Sequence, residues 1–162
     1  MGLNFLLPIV AFLGMVSGII TGRLAKEEFN ENRRYVLFIS RIILSILIVF
    51  LSYKSGSILS FLIGLVAGFF LTATYLYLGL AVASTLASPF SFVVSALVFL
   101  YGIPYGTLSF NTLNWRIIFL HMIFFLAPFS ILMIWPNYSN ALVSLSSGLL
   151  IGCLENNFAR RH

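Results

Sequence analysis

Long apolar runs separated by short polar or turn-forming segments follow one another along the whole chain. About 20 consecutive apolar residues cross a bilayer as an α-helix, and about six runs of suitable length fit here. Aromatic residues bracket two of them, as is typical of segments whose ends lie at membrane interfaces. The six runs cover about 3–22, 35–53, 57 onward with an indistinct end, 89–101, 115–135 and 140–154.

The composition agrees with lipid as the solvent of most of the surface. Hydrophobic residues make up 60% of the 162 residues, charged residues make up 8%, and the mean hydropathy is +1.07. Soluble domains carry about a quarter charged residues. The sequence therefore predicts an all-α, polytopic transmembrane helical bundle that forms a single membrane domain, multi-pass and located in the cell membrane.

One charged segment interrupts the apolar pattern, and we expect it to be a solvated loop. This segment, 23–34, holds more than half of the charged residues of the chain. The net charge of +5 comes from basic residues near the ends of the runs, where Lys and Arg anchor helices. No basic cluster interleaved with aromatic residues forms a nucleic-acid interface, so nucleic acid is excluded as a partner.

An internal repeat relates the two halves of the chain, about 1–82 and 83–162. The segments 41–51 and 116–126 share six of eleven residues, including the arginine that opens each. Upstream of them 18–24 matches 102–108, and downstream a Ser/Gly/Gly pattern recurs with the same four-residue spacing. The three matches occur in the same order in both halves, which favours descent from one duplicated unit.

Three spans in each half would place the second half in the membrane in the opposite orientation. The sequence thus predicts two inverted three-helix repeats, an arrangement found in secondary transporters. A count of five crossings, with a re-entrant segment in 57–102, stays open. It would place the 23–34 segment and Arg160 and Arg161 on the same side, in better agreement with the positive-inside rule.

Glycines recur every fourth residue and form three stripes of small side chains. Such stripes allow two helices to approach closely in lipid. The first stripe is the widest, because Ser17, Thr21 and Ala25 extend it. Packing inside the chain, a homo-oligomer and a partner membrane subunit are all consistent with it. The glycines expected to pack are Gly14, Gly18, Gly22, Gly64, Gly68, Gly148 and Gly152.

Few residues at membrane depth could bind a substrate. Arg41 and Arg116 hold corresponding positions in the repeat, so they could receive an anionic group, whereas snorkelling to the interface is the alternative for both. His121 is the only histidine within a run, and Glu155 lies on the same helical face as the last glycine stripe. These four residues are the candidate substrate-binding residues.

The chain has few residues of the types that catalyse reactions. There is no aspartate, and three of the four glutamates lie in the 23–34 segment. No nucleophile elbow, Walker loop or zinc-protease motif occurs. With a single histidine in the runs and one cysteine, Cys153, a metal site lacks ligands. We therefore expect neither an enzyme nor a bound cofactor or metal ion.

Two functional hypotheses remain. The first is a small transporter, channel or membrane-embedded transporter subunit that handles a small molecule or an ion. The second is a scaffold or assembly partner that transports nothing and docks through the glycine-rich first helix and the charged segment 23–34. The sequence does not identify the substrate.

Overall fold

A computed structural model describes residues 6–54, 56–70, 73–86, 88–111, 114–134 and 139–159 of the chain. This part of the chain contains seven α-helices and no strand. Three helices are long and apolar enough to cross a membrane: α1, the 31–54 part of α2, and α5. The helices are α1 (Leu6–Leu24), α2 (Lys26–Lys54), α3 (Ile58–Phe70), α4 (Thr74–Thr85), α5 (Ser91–Ser109), α6 (Trp115–Ile134) and α7 (Ser139–Ala159).

The charged segment 23–34 is helical, so the prediction of a loop there was wrong. α1 ends at Leu24, α2 begins at Lys26, and only Ala25 lies between them. Glu27 and Glu28 lie in the first turn of α2, where carboxylates stabilise the partial positive charge of a helix N-terminus. Lys, Glu and Arg are also strong helix formers. The charged side chains described in this segment are nevertheless exposed, as expected.

A short helix, α4, lies between the two segments that match in the repeat. Its 12 residues come from the stretch after 57 in which no end of the third run could be recognised. With α4 included, the segments that match one another are α1 and α5, α2 and α6, and α3 and α7. The architecture is three helices, one linking helix and three helices.

The glycine stripes pair α1 with α5 and α3 with α7, and both pairs are parallel. A Cβ atom added to Gly14 would clash with the carbonyl oxygen of Phe99, and one added to Gly18 would clash with that of Ile103. A step of four residues along α1 therefore matches a step of four residues in the same direction along α5, so the two helices are parallel. The same holds for Gly64 and Gly68 against α7. Each predicted packing glycine therefore touches a helix of its own chain.

The contacts between α3 and α7 are reciprocal. Gly64 faces Leu145 and Leu149, and Gly148, its counterpart in the repeat, faces Phe61 and Leu65. Phe61 and Leu65 are the counterparts of Leu145 and Leu149, so the two helices exchange equivalent contacts. A local two-fold axis along the helices produces this pattern, as in an isologous interface.

The even-numbered helices run in the opposite direction. In α2, Ser40 forms a hydrogen bond with Tyr101, and the ring of Phe50 lies 5.8 Å from that of Phe90, so α2 is antiparallel to α5. At the start of α4, Thr74 Oγ1 lies 3.2 Å from the Sγ atom of Cys153, which lies late in α7.

The other contacts of α4 agree with that direction. Thr85, at its end, shares a pocket with Asn140, which lies early in α7, so α4 is antiparallel to α7. Tyr75 meets the ring of His121 and Gly79 meets Phe125, so α4 and α6 are parallel.

These directions leave the prediction of six spans in inverted halves unconfirmed. An inverted repeat would make the matching helices antiparallel, whereas α1 and α5, and likewise α3 and α7, are parallel. The physical reason is α4, which reverses the direction of the chain once more before α5 begins. α4 also occupies a place beside α6 that has no equivalent beside α2, because α2 packs against α5 and α7 instead.

Candidate functional site around helix α4

Helix α4 is buried on all sides by the rest of the bundle. Every residue from Tyr77 to Thr85 is buried, and α4 packs against α5, α6 and α7. Gly79 allows this proximity, because a side chain there would strike the backbone carbonyl of Phe125. Polar groups collect at the two ends of α4, and they form the candidate site.

The start of α4 lies in a group that we call the tyrosine–histidine cluster: Tyr75, Tyr101, Tyr105 and His121. The ring of Tyr75 lies 5.1 Å from that of Tyr105 and 5.2 Å from that of His121, both with edge-on geometry. Tyr101 lies 5.9 Å from Tyr105. Three helices contribute to the cluster, and edge-on packing of aromatic rings adds about 0.5–1.5 kcal/mol per pair.

The three phenol hydroxyls of the cluster differ in their partners. Tyr101 is hydrogen-bonded to Ser40, and Tyr105 is hydrogen-bonded to Ser109. Tyr75 is only 3% exposed, and its hydroxyl has no hydrogen-bond partner in the described part of the chain. A buried polar group without a partner costs about 1–3 kcal/mol. The Tyr75 hydroxyl is therefore an available donor inside the bundle.

His121 adds an acceptor to the cluster. Its Nδ1 atom lies 2.8 Å from the carbonyl oxygen of Ile117. A carbonyl oxygen only accepts hydrogen bonds, so Nδ1 carries the proton and donates it. In the neutral ring the other nitrogen, Nε2, is then an acceptor. The cluster thus offers one phenol donor and one imidazole acceptor.

The opposite end of α4 borders a polar cavity of about 190 Å³, which we call the hydroxyl pocket. The Ser84 hydroxyl donates to the carbonyl oxygen of Ala81, and that of Thr85 lies 3.0 Å from two backbone carbonyl oxygens. Their protons are engaged, so their free lone pairs are acceptors. The residues that line the pocket are Phe50, Leu51, Lys54, Ser84, Thr85, Ser88, Phe90, Asn140 and Val143.

Lys54 supplies the positive charge of the hydroxyl pocket. Its Nζ atom lies 3.8 Å from the centroid of the Phe90 ring, within the range of a cation–π contact. An ammonium group only donates hydrogen bonds. The pocket therefore combines a cationic donor with hydroxyl oxygens that accept.

The four sequence-predicted binding residues do not form one site. Arg41 is half-buried and has an interaction partner, whereas Arg116 is exposed. They extend from α2 and α6, which pack against different helices, and neither lines a described pocket. His121 belongs to the tyrosine–histidine cluster. The side chain of Glu155 lies outside the described residues.

Sequence reasoning missed the three tyrosines and the hydroxyl pocket. One signal was present: tyrosines in transmembrane proteins favour the interfaces, but Tyr75 and Tyr77 lie within a long uncharged stretch. Among the residues that the structure describes, no group of three or more His, Cys, Asp or Glu side chains could hold a metal ion. Comparisons with protein-family models, curated proteins and solved structures find no match to this chain.

Proposed function

We propose that this chain is a multi-pass membrane protein that moves small, uncharged, hydroxyl-bearing solutes along α4, as a carrier or a channel. The observation that supports the proposal best is α4 itself, a buried helix with a polar site at each end. Its 12 residues extend about 18 Å, whereas the hydrocarbon core of a bilayer is about 30 Å thick.

A helix of this length ends inside the membrane, so its ends lie beside side chains of the surrounding helices. Transporters use interrupted helices in this way, and their substrates bind near the bilayer midplane. The described unpartnered hydroxyls fit such a path, because Tyr75 belongs to α4 and Ser95 to the adjacent α5. The middle of α4 is tightly packed, so the proposed path is closed in this conformation.

The chemistry of the two sites favours uncharged solutes over ions. Tyr75 and Lys54 donate hydrogen bonds, and His121, Ser84 and Thr85 accept them. Both roles suit a hydroxyl group, which is donor and acceptor at once. The side chains described at the two sites include no carboxylate, and Lys54 repels cations at one entrance. A desolvated ion would find no counter-charge deep in this path.

Docking through the first helix is not supported as a function. The stripe of Gly14, Gly18 and Gly22 is fully used by α5, which contacts the backbone at each glycine. A partner could reach this face only by displacing α5. The scaffold hypothesis therefore loses the glycine stripe as a docking surface, whereas the exposed charged segment 23–34 remains open to a partner.

The helix directions also support an orientation in the membrane. α1, α3, α5 and α7 finish at one end of the bundle, which we call the basic end, and α2, α4 and α6 begin there. Among the Lys and Arg residues in the part of the chain that the structure describes, only Lys54 lies at a helix terminus of the opposite end. By the positive-inside rule the basic end faces the cytoplasm. Residues at the basic end include Arg23, Lys26, Arg33, Arg34 and Arg116.

Cysteine labelling in intact cells should confirm this orientation. In a Cys153→Ser background, we expect a membrane-impermeant maleimide to label Gly56→Cys from outside. Asn32→Cys and Asn111→Cys should react only after permeabilisation, because both lie at the basic end and are exposed. Six crossings would place Asn111 on the side of Gly56, so labelling of Asn111→Cys in intact cells would contradict the proposed topology.

Solute movement is testable with reconstituted protein. We expect liposomes containing the protein to swell faster than empty ones in a gradient of glycerol, measured by stopped-flow light scattering. Tyr75→Phe should slow this swelling by about two- to twelvefold, the effect of one hydrogen bond worth about 0.5–1.5 kcal/mol. The matched control is Ser146→Ala, because that buried hydroxyl bonds to the carbonyl of Val143 within α7. Swelling no faster than that of empty liposomes would overturn the proposed function.

A further inference from the structure

An apolar groove separates α1 from α6 on the surface of the bundle. The two helices hardly touch, although both contribute to the aromatic contacts around Tyr75 through Phe12 and Phe125. The groove has a volume of about 520 Å³, and its lining is apolar almost throughout. The lining residues are Pro8, Ile9, Phe12, Leu13, Val16, Trp115, Ile118, Phe119, Met122 and Leu126.

The chemistry changes abruptly at the basic end of this groove. Trp115 lines the groove there and is 76% exposed. The next residue, Arg116, is exposed in the first turn of α6. A tryptophan beside an arginine marks the depth of lipid headgroups, and an arginine at that depth attracts anionic headgroups.

We propose that this groove binds an anionic phospholipid, with one acyl chain along α1 and α6 and the headgroup phosphate at Arg116. Charge complementarity selects this occupant, because the apolar groove reaches Trp115 and the next residue of α6, Arg116, is an exposed cation. A transmembrane helix from a partner would cover the apolar walls but would bring no anion to Arg116. This inference rests on the membrane placement proposed above and is independent of solute movement.

Quenching of Trp115 fluorescence by brominated lipids tests the proposal. The chain has two tryptophans, so Trp135→Phe leaves Trp115 as the single reporter. This variant is reconstituted in bilayers of constant phosphatidylglycerol and phosphatidylcholine content, in which either lipid carries the brominated chains. We expect brominated phosphatidylglycerol to quench with about a fivefold preference, which corresponds to about 1 kcal/mol for one basic residue near an anionic surface.

Two variants separate the groove from general surface charge. Arg116→Gln should abolish the preference, whereas Arg34→Gln, an exposed cation of the same end on α2, should keep it. Leu13→Phe fills the groove from its lipid side, where Leu13 is 48% exposed, and should weaken quenching by phosphatidylglycerol. Its accessible position makes misfolding an inadequate explanation of that loss.

Every outcome of the experiment is informative. Equal quenching by the two brominated lipids, or a preference that survives Arg116→Gln, would overturn the lipid site and leave the membrane placement intact. Quenching by neither lipid would contradict the membrane placement itself, and the lipid site with it. Swelling measurements on the same liposomes report solute movement separately, so a failure of either proposal is recognisable.

Discussion

Replacing Gly148 with alanine should destabilise the folded protein by about 1–3 kcal/mol, the usual cost of overpacking a core. The added methyl group would meet the carbonyl oxygen of Phe61 and the backbone of Leu65. Backbone atoms cannot rotate away as a side chain does, so α3 and α7 must separate and lose contact along their length. Because the contact is with backbone, we expect a cost near the upper end of this range, from which the gain of about 1 kcal/mol that alanine offers over glycine inside a helix is subtracted.

The measurement is reversible unfolding in mixed micelles, and the chain provides a matched control. Gly56 is exposed, no atom lies near the place of its missing side chain, and its φ is not positive. Gly56→Ala should therefore leave the unfolding free energy unchanged or raise it slightly. If both variants unfold at the same point as the parent protein, the close contact of α3 and α7 is wrong.

Replacing Tyr75 with phenylalanine should stabilise the protein by about 1 kcal/mol. The substitution keeps the ring contacts with Tyr105, His121 and Phe12 and removes the hydroxyl that has no partner in the described part of the chain. Removing a buried polar group without a partner recovers its desolvation penalty. Unfolding in mixed micelles measures this gain, and the same variant should move solutes more slowly.

Tyr101→Phe is the control, and we expect it to lower the stability of the protein rather than raise it. Tyr101 is 6% exposed, and its hydroxyl is hydrogen-bonded to Ser40 of α2. Its removal should cost about 1 kcal/mol, because the bond between α2 and α5 is lost and the Ser40 hydroxyl loses that partner. Equal destabilisation by Tyr75→Phe would mean that the Tyr75 hydroxyl is satisfied in the folded protein. The proposed role of Tyr75 would then lose its physical basis.

A variant that is more stable but transports more slowly has lost a group that serves a ligand rather than the fold. Binding sites keep polar groups that the empty fold would be more stable without, because a ligand supplies their missing partners. A purely structural tyrosine would lose stability on removal of its hydroxyl. Tyr75→Phe and Tyr101→Phe thus distinguish a tyrosine kept for a ligand from one kept for the fold.

The sequence alone determined the helical class of the chain, the approximate limits of some of its helices and the glycine faces, whereas the run predicted to end at 101 continues as α5 to Ser109. The run predicted at 35–53 corresponds to the apolar part of α2, and the run from Trp115 begins where α6 begins. These features are local, because chain hydrophobicity and four-residue spacing depend only on neighbouring residues. Two of the three sequence matches lie in helices that pack against one another, α1 with α5 and α3 with α7, whereas the third lies in α2 and α6, which pack against different helices.

The tertiary structure alone showed α4, the relative directions of the helices and the contacts between their side chains. α4 was hidden because a helix buried on all sides has no polar face to mark its ends. α4 adds a chain reversal that the sequence did not predict, and the matching helices α1 and α5, and likewise α3 and α7, run parallel. The sequence paired Arg41 with Arg116, whereas packing placed His121 beside Tyr75 of α4 and Tyr105 of α5. Which side chains meet across helices depends on helix direction and neighbours, and only long-range packing fixes these.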